Sequence, residues 1–148
     1  MEIIAILYAR HVTYPNKNYF SGVENKMEKR VLQSAQANIA LIHSDTVLIH
    51  NGQSALDLIA TVFYDDNCSR MAINKEALCE DFFVLSTGIA GEVLQKAVNY
   101  RMKLAIVGDF SRYTSKPLQD FIYECNNGRD VFFVANEAAA VDRLKNAR

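Results

Sequence analysis

Ser86, Thr87 and Gly88 put two hydroxyls and a glycine at the opening of an amphipathic run that continues through Ile89, Val93, Leu94, Ala97 and Val98. A helix that starts there carries free backbone N–H groups at the positive end of its dipole, beside a hydroxyl. That combination holds an anion or accepts a phosphoryl group. A second set is Asn74, Lys75, Glu76, Glu92, Asp109 and Ser111. Several of these follow strand-like runs, and ligands of open parallel sheets bind beyond the carboxyl ends of the strands. Converging there, they would form a pocket for a phosphate-bearing or amine ligand. Glu92, desolvated beside Asp109, would be a general base, because a like charge raises a carboxyl pKa. Phe82, Phe83, Phe110 and Tyr113 fall in the same loops. Exposed, they are an interaction surface; packed inward, they are a minicore under the loops. Each set also has a plainer role. Ser86 or Thr87 caps a helix, worth ~1 kcal/mol, Glu92 complements the helix dipole, and Gly108-Asp109-Phe110-Ser111 makes a turn.

Other chemistries are poorly served. Cys68, Cys79 and Cys125 are odd in number and widely spaced, so neither a disulfide framework nor a C-x-x-C metal knuckle fits. Free thiols in a reducing cytoplasm are expected. His43 and His50 have no third ligand in view, and no metal or cofactor is expected. Gly88 and Gly91 lack the spacing and strand context of a dinucleotide fingerprint. The 16 Lys and Arg balance 17 Asp and Glu, giving a net charge of −1. That balance supplies no basic stripe for nucleic acid. No apolar run approaches the ~20 residues that cross a bilayer.

The elements that would position these groups follow from periodicity. Asn38–Ser44 and Thr46–His50 are β-branched runs around a short Ser44-Asp45 break, which predicts two strands in a hairpin. Asn51 or Ser54 caps a helix whose apolar positions are Ala55, Leu58, Ile59, Val62 and Phe63. Arg70–Ile73 is a strand, and the Ser86–Thr87 opening starts the second helix. Leu104–Val107 is a continuous apolar run, so it reads as a central strand buried on both faces. Ser115 with Pro117 opens a third helix that Asn126-Asn127-Gly128 ends. Val131–Val134 is the last strand, and Ala138–Leu144 a closing helix.

The order β-β-α-β-α-β-α-β-α predicts an α/β fold: a mixed, mostly parallel sheet of about five strands with three to four helices. Residues 27–148 form one domain of this kind. Residues 1–26 turn polar after an apolar start and read as an N-terminal extension, either an added strand with a loose linker or a mobile segment ahead of a natural start at Met27.

Two resemblances rest on these residues. The element order, with Ser86-Thr87-Gly88-Ile89-Ala90-Gly91 and Lys103-Leu104-Ala105-Ile106-Val107-Gly108, resembles the STAS domain of anti-sigma-factor antagonists and sulfate-transporter tails. That family's motif reads Asp-Ser-Ser-Gly-Leu-Gly ahead of a helix and a Lys/Arg-x-Leu-x-Leu-Val-Gly strand. The resemblance implies a phospho-acceptor at Thr87 that switches a partner protein. Leu85 stands where the motif has Asp, and Cys79–Phe83 lengthens the loop before it. A closer resemblance is to the small bacterial proteins of domain-of-unknown-function family 4180. It is carried by Gln53–Leu58, Ala77–Phe83, Thr87–Glu92 and Val107–Ser111, and it implies no activity. The expected function is therefore a non-enzymatic, cytoplasmic regulatory or protein-interaction module of STAS-like fold. Its partner is another protein, with homodimerisation left open. The alternative is a small-molecule-binding domain or minor enzyme with its pocket at the carboxyl ends of the central strands.

Overall fold

A computed structural model describes residues 10–14 and 27–148. The elements are β1 (Arg10–Tyr14), β2 (Met27–Leu32), β3 (Ile39–Ser44), α1 (Gly52–Tyr64), β4 (Arg70–Asn74), α2 (Ile89–Asn99), β5 (Lys103–Val107), α3 (Lys116–Asn126), β6 (Val131–Val134) and α4 (Glu137–Asn146). Three 3-10 turns, Lys75–Ala77, Glu80–Phe83 and Leu85–Thr87, occupy the long β4–α2 connection.

The described strands belong to one sheet in the order β1-β2-β3-β4-β5-β6. β1, β2 and β3 are antiparallel neighbours, and β3 to β6 run parallel. From Met27 onward this is the expected α/β make-up of five strands and four helices, and Arg10–Tyr14 adds a strand at the edge. The remaining expectations for residues 1–26 fall on 1–9 and 15–26, outside the described residues.

The leading hairpin is not the expected one. Its strands are Met27–Leu32 and Ile39–Ser44, whereas Thr46–His50 contributes only an isolated parallel bridge, Ile49 to Leu78. The Ser44 hydroxyl donates to the Thr46 carbonyl and accepts from the Thr46 N–H, which turns the chain out of the sheet. Leu48 and Ile49 then donate to the Ala77 carbonyl. A single residue between two strands is also too short to fold them back as a hairpin, whose commonest loops have two.

Alternation along the strands builds two cores. Ala40, Ile42, Met71, Ile73, Leu104, Ile106, Val131 and Phe133 face α1, α2 and α3. Ile39, Leu41, Ala72, Ala105 and Phe132 face α4 through Ala140 and Leu144. Both faces of β5 are covered, which is why its run is apolar throughout. Because each parallel strand is added beside the last, the three crossover helices fall on one face, as connections of one hand require.

The caps lie where local chemistry puts them. The Asn51 side chain accepts from the Ser54 N–H and the Ser54 hydroxyl accepts from the Asn51 N–H, a reciprocal capping box on α1. Ser115 accepts from the Leu118 N–H, and Pro117 fills the first turn of α3.

Candidate functional site

The carboxyl edge of β4 and β5 is where the expected site residues should meet, and the structure brings only some of them together. Asn74, at the end of β4, is buried and bridges strands: its Oδ1 accepts from Ser44 N–H and its Nδ2 donates to Ser44 O, both at 2.8 Å. The amide is thereby an extra rung between β3 and β4. Glu76 is exposed and receives a 3.4 Å contact from Asn74 Nδ2.

Glu92 points elsewhere. Its Oε2 accepts from the Gly52 N–H at 2.9 Å, so it caps α1 from the first turn of α2. A Cβ on Gly52 would lie 2.9 Å from that oxygen, so only glycine admits this approach. Glu92 and Asp109 therefore do not form the acid pair that a general base would need. Asp109 is exposed and accepts from the Ser111 N–H at 3.0 Å. Ser111, by its backbone N–H and then its hydroxyl, holds the Asp109 carboxyl below the usual range, with Lys75 and Arg112 adding to the effect. Such a group is a settled carboxylate rather than a proton shuttle.

Phe82 and Phe83 are corrected as surface residues: they are 0% and 5% exposed. The Phe83 ring stacks on Tyr113 with centroids 4.6 Å apart and 18° between planes, and Phe110 packs on both Phe83 and Phe133. An aromatic minicore thus fills the space beneath the loops, because four rings there find each other before they find water. Tyr113 is half-buried and remains at the rim.

Around Tyr113 stands a ring of charge that sequence spacing did not reveal. Arg112 donates to Glu80 at 2.8 Å, and its guanidinium lies 5.1 Å from the Tyr113 centroid. Lys75 Nζ approaches the same ring at 5.6 Å. The Lys75 stem passes directly over Gly108, where a Cβ would meet it at 2.5 Å. Arg112 and Glu80 are 32 residues apart, and no local pattern marks them as a pair.

Ser86, Thr87 and Gly88 are all exposed on the same rim. The Thr87 hydroxyl contacts the Asp81 and Val84 carbonyls at 2.7 and 2.8 Å and accepts from the Ile89 N–H at 3.3 Å. It latches the 3-10 turns to the start of α2. The N-cap is Gly88, at φ +81°, and no side chain caps the helix. We expect Thr87→Val to lose about 1 kcal/mol in denaturant titration, with Thr87→Ser close to wild type. Equal midpoints for all three would show that the latch is idle. Nothing lies within 4 Å of a Cβ on Gly88. Gly88→Val should therefore cost the left-handed backbone penalty alone, about 1–2 kcal/mol, read as a lowered melting temperature. An unchanged melting temperature would remove the left-handed cap from the account.

Cys68 and Cys125 are free thiols that burial, first of all, pushes up to about 11, which leaves them protonated and unreactive at neutral pH. Among the described residues, no group of three or more His, Cys, Asp or Glu could hold a metal ion, and no helix is long and apolar enough to cross a membrane.

Ala77–Phe83, Thr87–Glu92 and Val107–Ser111 lie at this edge, and Gln53–Leu58 starts beside it in α1. Residues 34–144 match the family described as Domain of unknown function (DUF4180). The chain belongs to this family. The match covers β3 to most of α4 and leaves β1 and β2 outside it. No curated protein and no solved structure matches the chain significantly. In the DUF4180 domain seen here, two of the segments that carried the resemblance in sequence are joined through Glu92, which caps the helix whose first turns hold Gln53–Leu58.

Proposed function

We propose that this DUF4180 protein is a non-enzymatic cytoplasmic interaction module of STAS-like design, which recognises a partner protein with the carboxyl-edge rim. The observation that carries the reading is the state of that edge. Its interior is filled by Phe82, Phe83, Phe110 and Tyr113. Among the described strands the sheet order never reverses, so they offer no topological switch point of the kind at which open α/β sheets hold ligands. Glu92 and Asp109 are committed to backbone N–H groups and Glu80 to Arg112.

Above this filled interior the polar and charged groups stand around the rim. Tyr113, flanked by Lys75, Arg112 and Glu80, offers an aromatic anchor with charge of both signs, the composition that recognises another protein. Thr87 lies on the same rim with its hydroxyl in reach of solvent. A phosphate there would remove the hydrogen shared with the Asp81 and Val84 carbonyls and loosen the turns under the rim. Three free cysteines support a reducing compartment.

The test is affinity capture from a lysate of the source cells with three baits: wild type, Thr87→Asp and Arg112→Glu. A protein held by wild type and lost by both variants is the expected result. Capture indifferent to both substitutions would overturn the rim as the recognition surface.

A further inference from the structure

The opposite, amino edge of the sheet carries a feature that the rim does not use. Phe63 and Tyr64 end α1, and Tyr100 ends α2. Their rings stand edge to face in all three pairings, with centroids 5.0, 5.8 and 6.3 Å apart. Phe63 is 38% and Tyr64 70% exposed. Single exposed aromatics are ordinary, whereas a cluster of them beside a concavity marks a binding surface. The concavity is a groove of about 530 Å³ lined by Phe63, Tyr64, Ser69, Asn99, Tyr100 and Arg101. That volume lies within the range of small-molecule sites.

Arg101 is the charged residue of this lining, and two facts single it out. Its guanidinium has no hydrogen bond or ion pair among the described residues. Its backbone sits at φ +54°, in the left-handed position just past a helix, where Met102 N–H reaches Ala97 O and Arg101 N–H reaches Val98 O. Glycine is the usual occupant of that position. Arginine there carries a conformational penalty and delivers a planar, five-donor cation to the groove mouth. Strain held by a residue that faces a groove points to a ligand. Asp65 and Asp66 lie nearby in sequence but do not line the groove, and Asp66 is paired with Lys29.

We propose that this groove binds a small planar aromatic ring bearing a carboxylate or phosphate. The ring packs among Tyr64, Tyr100 and Phe63, and Arg101 takes the anion, in the bidentate geometry that guanidinium offers to either group. The site is independent of the carboxyl-edge rim.

The probes are 4-hydroxybenzoate, adenosine 5′-monophosphate and phenol, followed by saturation-transfer NMR on the full chain. Wild type is expected to bind both anions, and the tighter of the two identifies the preferred head group. Arg101→Gly should weaken both by about tenfold, leave phenol unaffected, and melt no lower than wild type because glycine accepts the left-handed backbone. Tyr64→Ala should weaken all three. The proposal is overturned if neither anion binds wild type, or if Arg101→Gly retains full affinity for them.

Discussion

Ile106→Asp is expected to leave the chain without a cooperative thermal transition. Ile106 is 0% exposed at the centre of β5, between Ile73 of β4 and Phe133 of β6. An aspartate there must stay ionised in an apolar core or take up a proton and still lose its water. Even the protonated group, without a partner, costs several kcal/mol, and the lost methyl groups leave a cavity. Together these rival the whole stability of a domain, about 5–15 kcal/mol. The far-ultraviolet circular dichroism melt reads the result. A soluble variant with a sharp two-state transition would overturn the placement of β5 as a strand between β4 and β6 with both faces buried.

The second large effect concerns β2. Lys29 is 1% exposed and donates to the Asp66 carboxylate, itself 15% exposed, across the turn that leads into β4. Lys29→Met keeps the apolar stem and removes the charge, which strands a largely buried carboxylate. Removing one partner of such a pair costs about 3–5 kcal/mol, and the lower end is expected because Asp66 keeps some contact with water. Adding Asp66→Asn should restore part of the loss, since the unpaired charge is what is expensive. Urea titration measures both variants, with the slope unchanged if only stability moves. A Lys29→Met protein as stable as wild type would mean that β2 is held by its backbone ladder alone.

Lys29 also shows why β2 escaped the sequence. Met-Glu-Lys-Arg-Val-Leu has two cations and an acid in six residues, and nothing local marks it as a strand with a buried side. One cation is satisfied by Asp66, 37 residues away, and the other, Arg30, by Glu137 on the opposite face of the sheet. The reverse error occurred at Thr46–His50. Its β-branched composition favours a strand, but the Ser44 hydroxyl turns the chain and Ala77 receives its N–H groups. Tertiary partners decided both cases against propensity.

Where the deciding contacts are local, the sequence was readable. Asn51 and Ser54 cap α1, Ser115 and Pro117 open α3, and Val131–Val134 is a strand, all within a few residues of the groups that cause them. The candidate site divides along the same line. The rim position of Thr87 and the turn at Asp109 follow from neighbouring residues. The binding of Glu92 to Gly52, the inward turn of Phe82 and Phe83, and the Arg112–Glu80 pair all depend on segments brought together only by folding.

The central claim is that recognition takes place on the rim at the carboxyl edge. Amide hydrogen exchange of the protein alone and saturated with a partner captured by wild type tests it most directly. Slowed exchange is predicted across residues 75–92 and 108–113. Protection confined to the amino edge, at residues 63–69 and 98–101, with the rim unchanged, would contradict it.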